Sequence, residues 1–217
     1  INTAEIAYVG LFRMPGSLLY LLDNTSGTIT YRPDGDDAAN DTDGYPGSLL
    51  VADQKGRKVF EVSIPPAHPS TPPRAIAIGE TAIITGRCKL LLSPITNGML
   101  FHKQRLWRTC KAYYTVVANS AGSLVNSAID GSDLRDLGMI GPSANPQSFP
   151  YHSNRWAGYL MPIPKKWCTD NTPGQCLGAG NSGGPGSTNG SAGPALFAFD
   201  ENDPKKSTPL VYYTLAD

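Results

Sequence analysis

Apolar runs alternate with short polar turns through the first third of the chain. Residues 16–31 begin with Gly-Ser-Leu-Leu-Tyr-Leu-Leu, pass through the polar stretch Asp-Asn-Thr-Ser-Gly, and end with Thr-Ile-Thr-Tyr. Residues 47–64 repeat this order with Gly-Ser-Leu-Leu-Val-Ala, a Gly-containing polar turn, and Lys-Val-Phe-Glu-Val-Ser-Ile. Two β-branched or apolar runs around a polar turn are typical of a β-hairpin, so we predict one hairpin in each segment.

Further strands are predicted wherever β-branched and aromatic residues cluster between Gly- and Pro-rich stretches. The apolar segment 75–92 fits either strands or one short helix, and the residues after Pro164 fit at most one helical turn. Segments 138–154 and 177–191 are so rich in Gly, Ser, Asn and Pro that we predict loops. The remaining predicted strands are 98–106, 112–118, 123–128, 158–164, 193–200 and 209–215.

Composition agrees with an all-β fold. The 217 residues include 23 Gly and 19 Pro, which are too many helix breakers for a helical bundle or a coiled coil. Strands that are apolar at consecutive positions are buried on both faces, as in the inner strands of propeller blades. The recurrence from residue 16 to residue 47 is also near the spacing of one blade, roughly 40–50 residues.

We therefore predict that residues 1–217 form a single all-β domain, a β-propeller of four to five blades of antiparallel sheet with long Gly/Pro-rich loops. The last predicted strand ends at residue 215, two residues before the end of the sequence, and no polar tail follows it. This ending favours a partial propeller that belongs to a longer chain.

Short motifs add a resemblance to a protein family. The run Gly-Ser-Leu-Leu-Val in 44–51, followed by Val-Phe-Glu-Val-Ser-Ile-Pro in 59–65, resembles a strand pair of uncharacterised secreted β-propeller-like proteins. Residues 157–164 and 193–199 are similar to later motifs of that group. The resemblance implies the propeller fold and an extracellular location, and it brings no catalytic residues to carry over.

Charge and hydropathy exclude two classes of partner. Lys and Arg number 18 and Asp and Glu number 18, so the formal net charge is zero. Nucleic-acid binders usually carry a basic excess because phosphate neutralisation dominates their affinity, so we expect no nucleic-acid partner. No apolar run approaches the roughly 20 residues that a bilayer-spanning helix needs, so we expect no membrane span.

Four cysteines favour an oxidising compartment. Cys168 and Cys176 bound a polar loop bent by Pro and Gly, whose ends can approach to disulfide distance. Cys88 and Cys110 would then form the second pair, although four cysteines allow three connectivities. No two of them have the spacing of a zinc site. We therefore expect at least one disulfide and a secreted protein.

An acidic loop between the two predicted hairpins is a candidate calcium site. Calcium takes six to eight oxygen ligands, which a flexible loop of Asp, Asn and Gly can provide, although the helix-loop-helix calcium pattern is absent. A solvated acidic loop without metal is the alternative. The candidate ligands are Asp34, Asp36, Asp37, Asp41 and Asp43.

One polar and aromatic cluster is the best candidate for a ligand site. Aromatic rings next to amide and guanidinium groups can stack on sugar rings or contact a partner chain, although most aromatic residues here are expected in the core. The cluster consists of His152, Asn154, Arg155 and Trp156.

The sequence Gly-Asn-Ser-Gly-Gly-Pro at 180–185 is similar to the nucleophile loop of trypsin-like serine proteases, in which Ser182 would be the nucleophile. Three features argue against this activity. Asn181 stands where those proteases have an acidic residue, and none of the histidines lies in the expected Ala-Ala-His-Cys context. Its Gly- and Ser-rich surroundings also favour a plain loop.

Two functional hypotheses remain from the sequence. The first is a secreted, non-catalytic propeller module that binds a glycan, a surface or a protein partner. It could also assemble into a homo-oligomer or filament through open strand edges, the predicted strand at 209–215 being the first candidate. The alternative is a metal-dependent propeller hydrolase or lyase, which needs Asp, Glu, Asn or His side chains from several blades to converge. The low count of three histidines favours the binding module.

Overall fold

The computed structural model describes nine stretches of the chain. Within them the chain forms twelve β-strands, one α-helix of seven residues and a short 3-10 turn. The prediction of an all-β fold is therefore confirmed. The described residues are 10–18, 28–36, 45–53, 58–81, 94–112, 123–138, 140, 158–180 and 193–213.

The first sheet is a four-stranded antiparallel meander. Its strands are β1 (Ile29–Arg32), β2 (Ser48–Ala52), β3 (Val59–Val62) and β4 (Ala77–Thr81), hydrogen-bonded in that order. The pairing of β2 with β3 confirms the hairpin predicted over 47–64.

The strand predicted at the start of the first hairpin, from residue 16, is wrong at its first residues. Gly16–Leu18 forms a 3-10 turn, because Pro15 fixes the backbone and its carbonyl accepts the amide hydrogen bond of Leu18 at 3.0 Å. Strand β1 pairs on one side with β2, with Tyr31 opposite Leu49. Its pairing with residues 19–22 stays a prediction. Residues 19–27 lie outside the described part of the chain.

The second sheet is another antiparallel meander. It contains β5 (Pro94–His102), β6 (Arg105–Ala112), β7 (Ser123–Ser127) and β8 (Arg135–Gly138). The single strand predicted over 98–106 is wrong, because the chain reverses between β5 and β6. Strand β8 was not predicted.

The third sheet repeats the same pattern, with a short helix between its first two strands. Strand β9 (Leu160–Pro162) leads into α1 (Lys165–Asn171), followed by β10 (Leu177–Gly180), β11 (Gly193–Phe199) and β12 (Ser207–Tyr213). The strand order is β9-β10-β11-β12, so β12 lies at an edge of this sheet.

Two predictions in this region are wrong in detail. The predicted loop at 177–191 begins with a strand, because Leu177 and Ala179 alternate into a core that also holds Phe197 and Phe199. The predicted single helical turn extends over the seven residues of α1.

The second sheet packs on the other two with its two opposite faces. Leu106 and Met99 of sheet 2 pack against Leu50, Ala52 and Val59 of sheet 1. Residues on the other face of sheet 2 form a larger cluster with sheet 3. That cluster contains Leu100, Trp107, Leu124, Ile140, Leu160, Leu177, Ala179, Phe197 and Phe199.

The leading strands of the three sheets are neighbours, since β5 contacts both β1 and β9. The backbone amide of Phe101 in β5 donates to the hydroxyl of Thr30 in β1 at 3.0 Å. On the other side of sheet 2, the hydroxyl of Thr109 donates to the carbonyl of Gly158, just before β9, at 2.7 Å. The architecture is thus three consecutive meanders stacked face to face.

Candidate functional site

A cavity of about 500 Å³ lies where three connections meet. The β5–β6 turn of sheet 2, the β11–β12 turn of sheet 3 and the segment around α1 form its walls. Its volume is in the range of small-molecule binding sites. The polar lining residues are His102, Lys103, Lys165, Asp200, Glu201 and Asn202.

Glu201 connects the two turns. Its Oε2 lies 3.1 Å from Nε2 of His102, and its Oε1 accepts a hydrogen bond from Nζ of Lys103. Partial burial raises the pKa of Glu201, but the hydrogen bonds from Lys103 and His102 together outweigh burial, so the net pKa is lowered. Glu201 is therefore an ionised carboxylate between two donors at neutral pH.

The β5–β6 turn holds its residues in an uncommon backbone conformation. Lys103 and Gln104 have φ of 50° and 59°, the left-handed region in which a two-residue hairpin turn normally carries Asn or Gly. Such strain in non-glycine residues persists only where surrounding contacts fix it, and it clusters at functional sites. Here the ion pair of Lys103 with Glu201 provides one such contact.

The β11–β12 turn is ordered by its own side chains. Oδ1 of Asp200 accepts the backbone amide hydrogen bond of Asn202 at 2.9 Å, which is the geometry of an Asx turn. The amide of Asp200 also donates to the carbonyl of Lys206 at 3.0 Å. These bonds hold the side chains of residues 200–202 at the cavity.

The third wall is closed by a disulfide between Cys168 and Cys176, whose Cα atoms are 5.3 Å apart. This bond confirms the first predicted pair. Cys176 lines the cavity together with the apolar residues Pro162, Ile163 and Leu177. Cys88 lies outside the described residues, so its pairing with Cys110 stays a prediction.

The lining combines hydrogen-bonding groups with an apolar patch. Cys176 in this lining is bonded through its sulfur to Cys168, so it cannot act as a thiolate nucleophile. The carboxylate of Glu201 already interacts with His102 and Lys103. This arrangement can bind a polar molecule that also carries an apolar face.

The predicted ligand cluster lies outside the described residues, so its distance from this cavity is not defined. His152, Asn154, Arg155 and Trp156 all lie outside the described residues, and so does Ser182 of the protease-like loop. Those predictions remain open.

The predicted calcium ligands are described only in part. Oδ1 of Asp34 lies 3.5 Å from Nε of Arg32, and Asp36 follows in the same turn. Asp37, Asp41 and Asp43 lie outside the described part of the chain. Among the described residues there is no group of three or more His, Cys, Asp or Glu side chains arranged for a metal ion. The calcium site stays a prediction.

Sheet 1 contains a partly buried ion pair next to Asp34. Nη1 of Arg32 lies 3.1 and 3.0 Å from the two carboxylate oxygens of Glu61, and the hydroxyl of Ser48 donates to the same carboxylate. Glu61 is only 7% exposed. Because a buried charge needs a partner, this group is explained as part of the packing between β1, β2 and β3.

Sequence reasoning missed the cavity residues. The predicted strand over 98–106 includes His102 and Lys103, and the stretch between the predicted strands 193–200 and 209–215 carries no prediction. The signal that could have identified them is a polar His-Lys-Gln-Arg stretch at 102–105 between two apolar runs, which is typical of a hairpin turn.

Comparisons with family models, curated proteins and solved structures found no match. No helix in the described part of the chain is long and apolar enough to cross a membrane.

Proposed function

We propose that this chain is a secreted, non-catalytic binding module of the β-propeller type, and that it holds a glycan in the cavity between sheets 2 and 3. The observation that carries the proposal is the convergence of two turns and a disulfide loop on one 500 Å³ cavity. Sites of this kind combine an apolar lining with a few fixed polar groups, as here.

The propeller arrangement is supported by the repeated four-stranded meander. Each meander matches one blade in strand number and order. In addition, β5 contacts both β1 and β9, so the leading strands are neighbours, as they would be around a central axis. The three described sheets would be three blades of such a molecule.

Secretion is supported by the Cys168–Cys176 disulfide, because such bonds form and persist in oxidising compartments. The resemblance of residues 44–65 to secreted propeller-like proteins points the same way.

A glycan suits the chemistry of the cavity. Asp200 and Asn202 present carboxylate and amide groups, which bind hydroxyls, on one ordered turn. Ile163 and Pro162 provide apolar contact for the C–H face of a sugar ring. The combination matches a ligand with many hydroxyls and little apolar surface.

Calorimetric titration with methyl glycosides of neutral and acidic hexoses tests this proposal. Asn202→Ala removes a lining amide and is expected to weaken the affinity about tenfold, the value of one or two hydrogen bonds. Asn171→Ala is the matched control, since its amide donates to the carbonyl of Trp167 on α1 and does not line the cavity. Equal weakening by both variants, or no glycoside binding, would count against the proposal.

Self-association through a strand edge is the second candidate. It is favoured by the position of β12 at the edge of sheet 3, because an exposed strand edge can pair with another chain. Size-exclusion chromatography over a range of concentrations tests it. Assembly predicts earlier elution at high concentration, and monomeric elution throughout would exclude this mode.

A further inference from the structure

The carboxylates around the cavity are each close to a basic side chain, whereas one lysine of the lining has no carboxylate partner among the described residues. Glu201 is shared by His102 and Lys103, and Oδ2 of Asp200 lies 3.8 Å from Nζ of Lys206. Lys165 also lines the cavity, but none of the described carboxylates lies within 4.0 Å of its Nζ. It is therefore the one lining cation, within the described residues, whose charge is still available to a ligand.

The backbone of Lys165 is held in place by its own helix. Its carbonyl accepts a hydrogen bond from the hydroxyl of Thr169 at 2.8 Å and lies 3.3 Å from Sγ of Cys168. Cys168 is in turn bonded to Cys176 in the cavity wall. Lys165 therefore lines the cavity from a fixed backbone position.

The adjacent lysine provides a comparison within the same helix. Nζ of Lys166 lies 2.8 Å from Oδ2 of Asp170, and the Lys166 side chain is 90% exposed. Lys166 does not line the cavity, whereas Lys165 does. Lys165 and Lys166 therefore differ in two ways. Lys166 has an ion-pair partner in Asp170, and Lys165 lines the cavity.

We infer that the ligand is an acidic sugar, a hexuronide, whose carboxylate pairs with Lys165. This inference rests on the proposed function. Charge-assisted hydrogen bonds are roughly twice as strong as neutral ones. The carboxylates of Asp200 and Glu201 lie on another wall, the β11–β12 turn, and would repel a ligand carboxylate there, so the charges fix the orientation of the sugar. Its hydroxyls then face Asp200 and Asn202.

Calorimetric titration of the full chain with methyl β-D-glucuronide and methyl β-D-glucoside tests this inference. The two probes differ only at C6, where the glucuronide has a carboxylate and the glucoside a hydroxymethyl group, so the ratio of their affinities measures the effect of that replacement. The wild type is expected to bind the glucuronide about tenfold more tightly, and Lys165→Gln is expected to remove that preference. Lys166→Gln, the matched control, is expected to retain it.

The possible outcomes separate the inference from the proposed function. Equal affinity for both probes, or a preference that survives in Lys165→Gln, overturns the acidic-sugar assignment. If glucoside binding is still weakened by Asn202→Ala, the proposed glycan site stands. Binding of neither probe overturns both. Sodium sulfate serves as a third probe, and competition by sulfate as strong as by the glucuronide would show a simple anion site and overturn the sugar assignment.

Discussion

The imidazole of His102 and the carboxylate of Glu201 lie 3.1 Å apart, from Nε2 to Oε2, although the two residues are 99 positions apart in the chain. His102 ends the first strand of sheet 2, and Glu201 lies in the last turn of sheet 3. The contact therefore joins two sheets at one wall of the cavity.

Replacing Glu201 by Gln should loosen this wall. The variant loses the charge that pairs with Lys103 and His102, and we expect the free energy of unfolding to fall by about 0.5–1 kcal/mol at neutral pH. Since the pKa of Glu201 is lowered in the folded protein, its contribution is present above the ordinary value of 4.5. The difference between variant and wild type should disappear as the pH falls through the lowered pKa.

Urea unfolding at several pH values measures this difference. The control is Glu80→Gln, which removes the ion pair of Glu80 with Lys58, a pair in which both side chains are about half exposed. Exposed pairs contribute little, so the control should resemble the wild type. A Glu201→Gln deficit that persists unchanged in acid would contradict the proposed role of the charge.

Gly98→Ala should destabilise the contact between β5 and the segment before β9. A Cβ at residue 98 would lie 2.0 Å from the carbonyl oxygen of Gly158 and 2.8 Å from Oγ1 of Thr109. We expect the free energy of unfolding to fall by about 1–3 kcal/mol, the usual cost of overpacking. Gly79→Ala in β4 is the control, because nothing lies within 4 Å of its added Cβ. Equal midpoints in thermal unfolding would contradict the close packing of these segments.

Arg108 is buried in β6 at 2% exposure, and Nη2 donates to the hydroxyl of Ser127 at 3.3 Å. Burial lowers the pKa of its guanidinium to about 10, and its Nε has no hydrogen-bond partner within the described part of the chain. Arg108→Met keeps most of the volume without the charge, so we expect the free energy of unfolding to rise by about 1 kcal/mol.

Arg105→Met on the same strand is the matched comparison for Arg108→Met. Its guanidinium lies 2.7 Å from Oδ2 of Asp133 and donates to the amide oxygen of Asn126 at 2.9 Å. We expect this variant to be less stable than the wild type. Chemical denaturation followed by tryptophan fluorescence measures both changes, and strong destabilisation by Arg108→Met would reveal a partner for the charge.

The Cys168→Ser/Cys176→Ser double variant should lose both stability and ligand binding. The bond closes a loop with a sequence separation of 8, for which chain entropy predicts about 2.5 kcal/mol of stabilisation. Because Cys176 lines the cavity, the same change should weaken glycoside binding. A double variant that melts with the wild type and binds equally well would show that this loop is irrelevant to the site.

The all-β class and several strands could be predicted because apolar and β-branched runs between Gly-rich turns indicate extended structure locally. The β2–β3 hairpin followed from such a pattern. The β5–β6 turn is harder to predict, because Lys103 and Gln104 stand where such turns favour Asn or Gly, and the short polar stretch 102–105 is the one local sign of the reversal. Strand β10 was missed because Gly178 and Gly180 weaken the strand pattern, although tertiary burial of Leu177 and Ala179 overrides it.

The candidate site could not be predicted for a different reason. His102 and Glu201 meet through the packing of sheets 2 and 3, and no local pattern encodes a contact over that separation. The disulfide between Cys168 and Cys176 was predictable because its two ends are near in sequence and are separated by turn-forming residues.

The most direct test of the binding-module account is to locate bound sugar on the protein. Methyl β-D-glucuronide is titrated into uniformly ¹⁵N-labelled protein while the backbone amide shifts are recorded. The account predicts that the largest shift changes occur at Lys103, Gly174 and Asn202, three residues from the three walls of the cavity. Changes that are confined to other parts of the chain, or no changes at all, would contradict it.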